Sequence, residues 1–121
     1  MWIQPIATVV LMAAAASGPS PIACNLKALT GEERAQLASL SEKLRTAAAS
    51  RRQLADGLSF RIDTSAMTLV ELARWVDAER RCCPFLDFRI TLEREGAGLQ
   101  LALTGRPGVK EFLRTEFAPH Q

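Results

Sequence analysis

Three cysteines carry the chemistry open to this chain of 121 residues. Cys82 and Cys83 are adjacent and stand directly before Pro84, and Cys24 lies far upstream. Thiolates are soft donors that match soft acceptors such as Cu(I), Hg(II) and Zn(II). Three sulfurs suffice for trigonal coordination of a soft ion, whereas tetrahedral zinc wants a fourth ligand. His120, the only histidine, stands one residue from the end of the chain and is a poor choice for that fourth place. Neighbouring side chains diverge in regular structure, so two adjacent cysteines can serve one ion only where the backbone breaks. Pro84 supplies the break, because it lacks an N–H and pushes Cys83 toward an extended conformation.

The same residues admit two other readings. Cys82 and Cys83 could bond to each other only through a strained eight-membered ring, labile and redox-active rather than structural. With an odd number of cysteines one thiol stays over, and a stabilising disulfide framework is not expected. Arg80 and Arg81 favour the thiolate by charge, while a helix C-terminus and burial against Phe85 or Leu86 oppose it. Redox enzymes of the thioredoxin kind use the opposite helix end, which favours ion capture over exchange. The third reading makes the cysteines small core residues of a protein-interaction module, dimeric through its first helix. No phosphate loop, Ser-His-Asp set or pair of catalytic carboxylates is present, so no catalytic residue and no organic cofactor is assigned.

The elements must bring these thiols together. Ser65 to Phe88 reads as an amphipathic helix that ends at the two cysteines and opens into a strand. Thr68 with Glu71 fits a capping box. Leu69, Leu72, Ala73 and Val76 form the apolar stripe, with Trp75 at its margin as packing, and Asp77 is spaced to pair with Arg81. On a helical wheel Glu79 and Arg80 fall at the edges of the apolar arc. There they either pair with each other and with loop backbone or line a small polar site beside the cysteines.

Thr30 with Glu33 starts an earlier helix that runs to about Ser50, with Leu37, Leu40, Leu44 and Ala47 or Ala48 on its stripe. Asp56-Gly57 marks a turn, and Leu58, Phe60 and Ile62 then alternate with polar residues as a half-buried strand. Leu86 to Leu92 and Leu99 to Leu103 alternate on either side of Gly96-Ala97-Gly98, which makes a hairpin. Pro107 opens a last helix with Val109, Phe112, Leu113 and Phe117 on one face. The expected fold is α+β in the order α-β-α-β-β-α: a three-stranded, mainly antiparallel sheet with helices on one face. The first strand lies next to the hairpin.

With 48% hydrophobic and 23% charged residues the composition is that of one globular domain, placed at residues 24–118, with 119–121 as a tail. A net charge of +2, with no basic run interleaved with aromatics, argues against nucleic acid. Residues 1–23 read as a leader. The uncharged run from Pro5 to Ala16 is too short to span a bilayer but suits the core of a secretory signal, with Ala14 and Ala16 at signal-peptidase spacing. No Lys or Arg precedes it. The expected location is therefore the periplasm, or the cytoplasm if the leader is a misplaced start, and the mature chain has no transmembrane span. Pro21-Ile22-Ala23 before Cys24 loosely matches a lipoprotein processing site.

The segments CNLKALTGEER from Cys24, ELARWVDAERRCCPFLDF from Glu71 and LTGRPGVKEFL from Leu103 resemble a family of small bacterial proteins of unassigned function. Some of its members are loosely connected with heavy metals such as mercury. The resemblance implies that Cys24, Glu79, Cys82 and Cys83 belong together, with Arg80 or Arg81 behind them, and it counts against a lipid anchor on Cys24. The ligand implied is a soft metal ion or small thiophile held by Cys24, Cys82 and Cys83.

Overall fold

Two capping boxes set the two long helices. In the computed structural model, which describes residues 20–118, the Thr30 hydroxyl accepts from the Glu33 N–H at 3.1 Å and the Glu33 carboxylate accepts from the Thr30 N–H at 2.9 Å. This starts α1 (Gly31–Ala47). Thr68 and Glu71 make the same exchange at the head of α2 (Leu69–Cys82). Each box satisfies N–H groups that no helical carbonyl can reach.

Helix α1 ends at Ala47, short of the expected boundary. The chain continues as strand β1 (Ala48–Leu54), turns through Ala55-Asp56 and returns as β2 (Gly57–Ile62). After α2 come β3 (Asp87–Leu92), β4 (Leu99–Thr104) and α3 (Val109–Glu116). The order is thus α-β-β-α-β-β-α. The sheet has four strands rather than three, in the order β1-β2-β4-β3, with every neighbouring pair antiparallel. The expected neighbour relation of β2 and the hairpin holds through β4, where Phe60 faces Leu101 and Leu58 faces Leu103.

Strand β1 escapes a pattern-based reading because its residues Ala49 to Gln53 are all exposed, so no apolar alternation is needed. Gly57 opens β2 under a steric demand: a Cβ there would run into the Leu103 backbone carbonyl. At α3 the left-handed backbone of Gly108 (φ 102°) precedes the first helical residue, so Pro107 stands outside the helix rather than in its first turn.

The helices cover the sheet face carrying Leu58, Phe60, Leu101 and Leu103, while Arg52, Ser59, Arg61 and Gln100 line a shallow groove on the other. Trp75 is fully buried and meets Phe88 and Phe117 edge-on, at centroid distances of 6.1 and 6.4 Å. Leu72, Trp75 and Cys82 are the buried residues of α2, whereas Leu69 and Ala73 are exposed. The buried arc is rotated by roughly a quarter turn from the expected stripe, and Glu79 falls inside it. Ile22, upstream of Cys24, packs against the core. No helix among the described residues is long and apolar enough to cross a membrane. The leader before Ser20 and the tail from Pro119, with His120, lie outside the described residues.

Candidate thiol site

The site begins where α2 stops. The Cys83 N–H still donates to the Glu79 carbonyl at 2.7 Å, but Pro84 has no N–H to continue the ladder and Cys83 leaves the helical region (φ −122°, ψ 67°). That departure lets two neighbouring side chains converge, and the Cys82 and Cys83 sulfurs stand 3.6 Å apart. The Cys82 thiol faces the Glu79 carbonyl at 3.5 Å.

The third sulfur arrives from the segment before α1. The Asn25 N–H donates to the Cys82 carbonyl at 2.7 Å, which lays this segment along the end of α2. Asn25 also caps a single 3-10 turn (Leu26–Ala28), its side chain accepting from the Lys27 N–H at 3.1 Å. Arg34 holds the Leu29 carbonyl at 3.0 Å; Arg81 reaches the Ala28 carbonyl at 3.2 Å and pairs with Glu33. Buried Leu29 completes the clasp. Cys24 and Cys83, 59 positions apart in sequence, are joined as a disulfide. This corrects the expectation that the redox-active bond is Cys82–Cys83 and that no disulfide supports the fold. Tertiary structure pairs the distant sulfur with Cys83 and leaves buried Cys82 as a free thiol.

Glu79 supplies the fourth group. One ligand atom from each of Cys24, Glu79, Cys82 and Cys83 lies within 4.8 Å of all the others, and Glu79 Oε1 is 3.2 Å from the Cys83 sulfur. In the disulfide that sulfur carries no proton, so a hydrogen bond across this contact requires a protonated carboxyl as donor. Burial, reinforced by the negative charge of Glu116 and opposed by Arg45, raises the Glu79 pKa to about 7. Burial and the Glu79 charge raise the Cys82 thiol to about 11. The free thiol is therefore protonated at neutral pH.

Arg80 and Arg81 do not stand behind the sulfurs. Arg80 turns to Asp77 at 3.1 Å on the solvent side, taking the partner expected for Arg81. Arg81 instead holds the upstream segment, and its pairing pulls the Glu33 carboxyl down to about 2. The charges that reach the site are Arg45 and Glu116, which line with Cys24, Cys82 and Glu79 a cleft of about 460 Å³. They come from α1 and from the end of α3, and no motif in the sequence links them to the cysteines. Burial first, and the Glu79 charge second, explain the raised thiol, and the basic residues next to it in sequence point elsewhere.

The chain matches no family model, no curated protein and no solved structure.

Proposed function

We propose that the reduced protein captures one soft metal or metalloid ion with the sulfurs of Cys24, Cys82 and Cys83. The convergence of three sulfurs and one carboxylate within 4.8 Å carries this reading. Soft ions such as Hg(II) and Cu(I) take thiolate ligands in preference to oxygen, and three thiolates meet a trigonal demand. For zinc, the Glu79 oxygen is the fourth donor that the cysteines alone do not provide. A thiol binds as its thiolate, so capture displaces protons, and affinity weakens as pH falls. The disulfide Cys24–Cys83 is the closed form of the same site, with two of its ligands withdrawn. The resemblance to a family connected with heavy metals agrees with this reading. Export to an oxidising compartment, where such a bond persists, is the location we propose with it.

Native mass spectrometry of reduced protein titrated with Hg(II), Cu(I) and Zn(II) tests the proposal. One tightly held soft ion is expected, lost in Cys82→Ser/Cys83→Ser while the circular dichroism of that variant stays native. Equal stoichiometry in the variant would sink the reading.

A second reading, thiol–disulfide exchange, is favoured by one observation: the Cys24–Cys83 bond lies beside a third sulfur at 3.6 Å. Its measurement is the reduction potential of that bond against glutathione. A bond untouched by millimolar glutathione in native protein would exclude exchange as a function.

A further inference from the structure

The three sulfurs differ in what can approach them. Cys82 and Cys83 are 1% and 0% exposed, whereas Cys24 is an exposed residue on the wall of the cleft. Thiol–disulfide exchange requires the attacking sulfur to reach a bonded sulfur from outside. Only the Cys24 end of the bond offers that access, and Cys83 is buried behind it.

The space in front of Cys24 exceeds the needs of a bare ion. At about 460 Å³ the cleft has the size of a small peptide. Leu26, more than half exposed at 53%, and Ala38 give it an apolar shelf. Its rim carries both signs: Arg34 and Glu116, with Arg45 and Glu42 already paired to each other at 2.6 Å. Glu116 forms no ion pair among the described residues. A concave site with an apolar floor and charges of both signs suits a small zwitterion better than the flat surface of a folded protein.

We propose that this cleft docks a low-molecular-weight thiol bearing carboxylate and ammonium groups, which opens the disulfide at Cys24. The inference rests on the exchange reading above and is independent of ion capture. The incoming thiolate attacks the Cys24 sulfur and forms a mixed disulfide with it. The Cys24–Cys83 bond breaks, and Cys83 leaves as a thiolate that takes up the proton released by the incoming thiol. A second small thiol attacks the sulfur of the bound one, freeing the Cys24 thiol and a small-molecule disulfide. Two small thiols are oxidised and one protein disulfide is reduced. The product is the three-thiol form of the site, so a small thiol acts as the key that assembles it.

Glutathione is the probe, used on the oxidised full chain. In Cys82→Ala, which removes the thiol able to scramble the intermediate, acid quenching and peptide mapping should find glutathione on Cys24. Ala38→Trp fills the shelf from an exposed helix position without touching a sulfur. It should slow opening by glutathione roughly tenfold, the loss of a docking contact worth ~1.4 kcal/mol, and leave opening by 2-mercaptoethanol unchanged. Three results would overturn the proposal: glutathione found first on Cys83, equal slowing of both thiols by Ala38→Trp, or a bond that no thiol opens until the protein unfolds. The last also removes the exchange reading, whereas the first two remove only the docking of the thiol and the direction of attack.

Discussion

Glu79 concentrates the physics of the site in one side chain. A carboxyl held at about 7 in the folded protein, against the ordinary 4.5, keeps a proton that the unfolded chain gives up earlier. Between these values the native state binds more protons than the unfolded one, so stability falls as pH rises from 4.5 to about 7 and levels off above. Glu79→Gln should remove this slope, a difference of up to about 3 kcal/mol read from urea midpoints at several pH values. Glu33 has the opposite sign. Its carboxyl is pulled down to about 2 by Arg81 and the Thr30 backbone, so its contribution is present above 4.5 and is lost as pH falls toward 2. Glu33→Gln should flatten the acid limb of the same profile. The sequence flags Glu79 as a charge misplaced on an apolar helix. What it lacks is the tertiary burial that raises the carboxyl most, and the remote neighbours Glu116, which raises it further, and Arg45, which lowers it.

The two long helices were legible because capping boxes are local chemistry, complete within four residues. Thr68→Ala should cost ~1 kcal/mol in thermal or urea unfolding, by exposing the Glu71 N–H without touching the core. Strands β2, β3 and β4 were legible by alternation, since each has one face to bury. β1 was not, because an exposed edge strand needs backbone pairing and no particular side chains. The stripe of α2 was misplaced for a different reason. A helical wheel ranks positions by angle, while the sheet selects by volume, and the indole of Trp75 fills the space against Phe88 and Phe117. Trp75→Ala should therefore destabilise by about 3–5 kcal/mol, against little effect for Leu69→Ala at the exposed start of the helix.

At the scale of the whole molecule, the sulfurs tie the beginning of the described chain to its middle. A cross-link spanning 59 positions removes much of the freedom of the unfolded chain, and Cys24→Ala should lower the stability of the oxidised protein by about 4 kcal/mol. The pairing could not be read from spacing, because Cys24 reaches Cys83 only after α1, β1, β2 and α2 have folded back on themselves. The bond makes those four elements a closed covalent ring, from which β3, β4 and α3 extend as a tail. A protease that nicks the ring once, at the β1–β2 turn for example, converts it into two chains held as one molecule. On a gel the cut stays invisible until reductant is added, whereas a nick in the β3–β4 turn separates on denaturation alone.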